Sequence, residues 1–253
     1  MTRKISTILV ALAILSLGMF ITETSAQPTV ITACGAITAG GSYRLGNNLQ
    51  APPGTCLSVS ARDVTIDLDG FVITGGFGRN AIIASAAALT VRNGTIATGG
   101  FGISASDGLL VDRVTFDLNS DGGVLAGNQA IVKDSVFLRA GNDGQWAIQV
   151  QSGLVTRNVI LGGGNNLRGG GVLIDRGTVS GNVLNGSSVG GQIGLRMTGG
   201  GAVINNTVQN YSIHGLDIMC PSNVLGNTAT GNGVNLVLHG DHSTCNVEHN
   251  VAP

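Results

Sequence analysis

Three side chains with acid–base and charge chemistry, Asp175, Arg196 and Asp217, fall in successive repeats of the sequence, with Gln149 and Gln151 before them and His214 and His239 close by. Two carboxylates on either side of a bond can act as acid and base in glycoside hydrolysis. The same three residues equally describe an Asp–Arg–Asp charge ladder on an exposed sheet, worth about a few tenths of a kcal/mol per pair. Trp146 closes the loop Asn142-Asp143-Gly144-Gln145-Trp146, and the next repeat carries a second loop, Gly162 to Arg168, with Asn165 and Asn166. An aromatic ring beside the amides of Gln149 and Gln151 suits a sugar, and it equally suits the cover of a core edge. Tyr43, Phe77, Phe101 and Tyr211 are further stacking candidates. Two other groups read more simply as solvated surface: the tail residues His239, Asp241, His242, Glu248 and His249, whose spacing matches no closed zinc pattern, and the alternating Asp63, Asp67 and Asp69.

These residues are positioned by a repeat. Val155-Thr156-Arg157-Asn158-Val159-Ile160 is echoed by Val179 to Leu184, Val203 to Val208 and Val224 to Ala229, and a period of this length marks a solenoid. Taking Ile66 as landmark, the equivalent positions are Val91, Val111, Val132, Val155, Val179, Val203, Val224 and Cys245. Five places on comes Phe71, Ile96, Phe116, Phe137, Ile160, Leu184, Val208 or Ala229. A second strand, usually led by Gly, alternates with an inward column of Ile103, Val124, Ile148, Val172, Leu195, Leu216 and Leu236. Short strands between Gly and Asn turns, with no helical period, predict about nine parallel β-coils stacked about 4.8 Å apart. The recurring Asn158, Asn182, Asn206 and Asn227 are expected at the sharp bends, where Asn tolerates left-handed backbone and stacked amides bond along the rod. Residues 27–60 are irregular and are expected to cap the first coil, leaving 61–253 as the solenoid with its C-terminal cap.

Composition supports a coil of tight turns. The chain of 253 residues has 41 Gly, 5 Pro and a charged fraction of only 11%, too little charge for helices with a solvated face. Residues 1–26 have a basic start, an apolar run too short to span a bilayer and a small-residue end, so they are expected to be an export signal. Leaving out Arg3, Lys4 and Glu23 from the 13 basic and 14 acidic residues leaves 11 and 13, a net charge near −2. That balance argues against a nucleic-acid partner, and no later stretch is apolar enough to be a membrane span. Cys34, Cys56, Cys220 and Cys245 allow three pairings; the gaps of 22 and 25 residues, about one repeat each, favour Cys34 with Cys56 and Cys220 with Cys245. The protein is expected to be a secreted or periplasmic monomer.

The Asn turns, the coil length, the Gly-led strands and an opening that runs from Cys34-Gly35 through Gly41-Ser42-Tyr43-Arg44-Leu45 to Val64-Thr65-Ile66-Asp67-Leu68-Asp69-Gly70 resemble right-handed parallel β-helix proteins of the pectate-lyase-like superfamily. The resemblance spans residues 34–250 or so, and it implies an all-β, single-domain, right-handed parallel β-helix. It also implies that a site would lie on the outer face of one sheet. A lyase of this kind would use Ca²⁺ and an Arg, drawn here from Asp175, Arg196, Asp217 and His214; otherwise no cofactor is expected. The paired-Asp, Gly-His-Gly and Arg-Ile-Lys signatures of polygalacturonases and the Asp-Pro-His motif of epimerases are absent, and Lys133 is the only lysine after the leader. The expected function is therefore a carbohydrate-associated binding module for a polysaccharide or glycan, with a lyase or hydrolase and a structural or adhesive rod as alternatives.

Overall fold

A strand of three to five residues cannot bury a core alone, so its stability must come from the coil above and the coil below. The structure, a computed structural model that describes residues 27–76, 78–141, 144–162, 170–187 and 192–253, is a parallel β-solenoid of about nine coils. The expected leader, Phe77, Asn142, Asp143 and most of the 162–168 loop lie outside the described residues. Three ladders of parallel strands form the sides of the coil. The first runs from Thr29–Ile31 through Gly41–Leu45 and Val64–Asp67 to Asn246–Glu248. The second runs from Leu49–Gln50 and Val72–Thr74 to Thr228–Thr230. The third runs from Gly35–Ile37 and Leu57–Val59 to His214–Met219 and Val234–His239. The segment 27–60 thus supplies strands to all three ladders at the end of the rod. No helix among the described residues is long and apolar enough to cross a membrane.

The expected columns are the core. Ile66, Val91, Val111, Val132, Val155, Val179, Val203 and Val224 stack in register and are buried. Phe116 and Phe137 stack face to face with ring centroids 4.7 Å apart, and Gly102 and Gly123 leave room for those rings on the facing strand. Two column assignments shift. Val247, not Cys245, pairs with Val224, because Cys245 closes the short 3-10 turn His242–Thr244. Ile73, not Phe71, pairs with Ile96, because Asp69 and Gly70 both take left-handed backbone (φ 51° and 80°) and lengthen that corner. Phe71 is left half-buried against the core.

The Asn column binds the coils together, but for one reason rather than two. The left-handed residue is the one before each Asn: Arg157, Gly181, Asn205, Gly226 and His249 have φ between 54° and 64°. That corner turns the following Asn inward. Asn158, Asn182, Asn206 and Asn227 are each 1% exposed. Asn206 Nδ2 donates to Asn227 Oδ1 at 3.0 Å and to Val179 O at 2.9 Å, while its Oδ1 accepts from Asn182 N at 3.0 Å and Asn182 Nδ2 at 2.9 Å. Asn250 extends the column at the C-terminal end, accepting from Asn227 Nδ2 at 2.9 Å.

Disulfides Cys34–Cys56 and Cys220–Cys245 fasten the two ends, as the one-repeat spacing predicts, and they point to an oxidising environment. Outside, arginines bridge coils: Arg139 binds Asp117 at 2.7 Å, Arg157 binds Asp134 at 2.7 Å and Arg92 binds Asp67 at 2.9 Å. Asp67, one of the alternating carboxylates near the start, is thereby neutralised within the protein and also accepts from Asn93.

Replacing Asn206 with Ala breaks four buried hydrogen bonds, so it should lower stability by about 3 kcal/mol in urea unfolding. Asn185→Ala, which loses only the exposed bond from Asn210, should stay within about 0.5 kcal/mol of the parent. Equal losses would mean the ladder is not what holds adjacent coils.

Candidate functional site

Alternation on the third ladder sends every second side chain outward, in two rows. In one row Leu125 pairs with Gln149, Gln149 with Leu173, Leu173 with Arg196 and Arg196 with Asp217. The other row, two residues along each strand, carries Gln151, Asp175, Thr198 and His239. Asp175 therefore stands opposite Thr198, whose Oγ1 donates to Asp175 Oδ1 at 3.0 Å, and Arg176 Nε donates to the other oxygen at 3.1 Å. The expected Asp–Arg–Asp ladder is in fact one Arg–Asp pair, with Asp175 held separately.

The face divides into two places. The first is an open groove of about 530 Å³ over the outer side of the third ladder. Leu125 and Leu173 give it apolar floor; Ser104, Gln149, Gln151 and Asp175 give it polar walls. Gly127 also lines it, and a Cβ there would press on Asp107 Oδ1. Asp107 in turn fixes Asn128 through the backbone N–H at 2.7 Å, and Asn128 Nδ2 donates to Gln151 Oε1 at 3.1 Å. This orients Gln151 so that its NH₂ faces away from the relay. Among the described residues Gln149 makes no side-chain hydrogen bond. Asp107 and Asn128 went unnoticed in the sequence because Asp-Gly and Gly-Asn pairs read only as turns.

The second place lies beyond Leu173. Asp217 faces outward yet is only 2% exposed, because three side chains from three successive coils close over it. Arg196 donates through Nε at 3.1 Å and Nη2 at 2.7 Å to Oδ2. His214 Nδ1 lies 3.0 Å from Oδ2, and His239 Nε2 lies 2.6 Å from Oδ1. Burial alone would raise the Asp217 pKa; the hydrogen bonds from Arg196, His214 and His239, with the arginine charge, outweigh it and hold the carboxyl below its usual range. An ionised carboxylate only accepts, so both imidazoles must donate to it. His239 is thus committed at Nε2 to the protein, leaving Nδ1 without a partner among the described residues.

Trp146 does not line the groove. It pairs with Gly170, and its indole lies against that glycine where a Cβ would overlap ring carbons Cε3, Cζ3 and Cδ2. The ring is half-buried as cover for the coil edge. Tyr211 is buried. No set of three or more His, Cys, Asp or Glu side chains that could hold a metal ion occurs among the described residues, the tail group included. Compared with protein-family models, curated proteins and solved structures, the chain matches none.

A depressed carboxylate pKa contributes stability that is present above the unfolded value and lost as pH falls through the folded one. Asp217→Asn should therefore cost about 2 kcal/mol near neutral pH, and the gap from the parent should close below about pH 4. Parallel unfolding curves across that range would show that folding does not depress the Asp217 pKa.

Proposed function

We propose that this protein is an exported β-helix of the pectate-lyase-like kind that binds a polysaccharide along the outer face of its third ladder. The observation that carries this reading is the groove. It crosses five coils, from Ser104 to Thr198, or about 20 Å at the usual strand spacing, enough for several sugars in a row. Its lining alternates what a pyranose presents, with Leu125 and Leu173 for C–H faces and the amides of Gln149 and Gln151 for hydroxyls. A purely structural rod gives no reason for Gln149 to face a hollow without a partner. Secretion fits the two disulfides and the short apolar leader.

Hydrolysis has less support. Glycosidases need two carboxylates free to exchange protons across a bond. Asp217 is closed over by its three partners, and Asp175 is held by Thr198 and Arg176. A lyase reading would need Ca²⁺ between carboxylates, and Asp175 and Asp217 lie in different rows, separated by Arg196 and Thr198.

A glycan array of the secreted chain should yield at least one polysaccharide ligand. Gln149→Ala should weaken that interaction about tenfold in calorimetry, the scale of one or two lost sugar hydrogen bonds. Undiminished affinity in Gln149→Ala would move the site elsewhere. Absence of any ligand would leave the rod reading.

A further inference from the structure

The Asp217 cluster is more than an ion pair. Arg196 Nη1, His214 Nε2 and His239 Nδ1 have no partner among the described residues, and each belongs to a side chain pinned at its other nitrogen to the same carboxylate. Their side chains are 39%, 23% and 46% exposed, while Asp217 beneath them is 3% exposed. Three partly exposed basic side chains are therefore gathered on a shared anchor that solvent hardly reaches.

One arginine, one carboxylate and two imidazoles make up the charge of this surface. Arg196 comes from the coil below, His214 and Asp217 from one strand, and His239 from the coil above; on the same face Asp175 is turned to Thr198 and Arg176, and Asp241, two residues past His239, is held by Ser243. With neutral imidazoles, Arg196 and Asp217 cancel, and the outward histidine nitrogens are lone pairs that repel an anion. Imidazole is the side chain that gains its proton between about pH 8 and pH 5. Two protons convert both outward nitrogens into N–H donors and leave the cluster with a charge of +2.

We propose that Arg196, His214 and His239, gathered on Asp217, form a proton-gated site for a multiply charged oxyanion of the sulfate or phosphate class. The anion is held from outside by three N–H groups, while Asp217 prevents the three cations from swinging apart. Such an anion has two sources, a free ion or an ester group on a polymer. Because Leu173 and Thr198 line the groove and neighbour Arg196, an ester on a polymer lying in the groove would reach the cluster at that end. The site itself does not rest on the groove reading, since a free ion tests it alone.

Inorganic sulfate is the probe, because it stays a dianion across the range and only the protein titrates. Calorimetry of the full secreted chain at fixed ionic strength should show sulfate binding about tenfold tighter near pH 5.5 than near pH 7.5. His214→Gln and His239→Gln, whose amides can still donate to Asp217, should each cut that gain, and the double variant should abolish it. Arg196→Gln should weaken binding at both pH values. In the unaltered protein, nitrogen NMR should show sulfate shifting His214 Nε2 and His239 Nδ1, so the test survives a variant that fails to fold. Equal affinity at both pH values, or a pH gain kept in the double variant, overturns the proposal, as does an imidazole spectrum unmoved by sulfate. Sulfated dextran assigns the source: binding tighter per sulfate than the free ion indicates a polymer ester, and equal binding indicates the ion.

Discussion

At the corner between the first and second ladders a side-chain amide sits out of reach of water, with two donors and two acceptor positions that one coil cannot satisfy. Asn182, Asn206 and Asn227 meet that demand across three coils at once, each taking two bonds from the coil on one side and giving one to each side, while Asn158 at the head of the column takes one, from Ser135 N. Removing one such amide breaks buried bonds to both neighbouring coils, which costs far more than one bond between exposed groups. The fixed strand register follows from this. A coil shifted by one residue would break the amide chain and turn its apolar column outward together.

That register makes an outer face usable. Since Leu173, Arg196 and Asp217 are locked opposite one another, charges and apolar groups form rows of known spacing rather than a scatter of loops. The other arginines that bridge neighbouring coils do so through partly exposed carboxylates, as Arg139 does with Asp117. Asp217 differs in that two imidazoles complete its coordination and exclude water from it. The difference arises from position: His214 begins the strand three residues before Asp217 and His239 ends the last strand of the ladder, so both reach the same carboxylate.

Much of this was legible in the residues. The three columns, the parallel stacking and both disulfides follow from spacing, because inward positions and neighbouring-coil contacts repeat with the period itself. What spacing does not encode is a local insertion. Asp69-Gly70 adds to one corner and displaces Phe71 from the column, and the His242–Thr244 turn displaces Cys245 in the same way. The Asn turns show a subtler limit: the residue that bends the chain and the residue that bonds the coils are adjacent, and the repeat makes both equally visible. Arg157, Gly181 and Asn205 share no side-chain type, so only the backbone reveals that they do the bending.

The site was legible as a set of positions and illegible as an environment. Asp175, Arg196 and Asp217 do lie on neighbouring coils, but a strand position separates Asp175 from the other two, and alternation read along one chain cannot rank distances across three. Asp217 carries the larger lesson. An outward position predicts a solvated carboxylate of ordinary acidity, and burial by itself predicts a protonated one; the four donor contacts from Arg196, His214 and His239 reverse the second without restoring the first. The carboxylate is buried and ionised because its neighbours are basic. Those neighbours in turn stay in place because the carboxylate is fixed beneath them, so neither the anchor nor the surface it holds exists on any single coil.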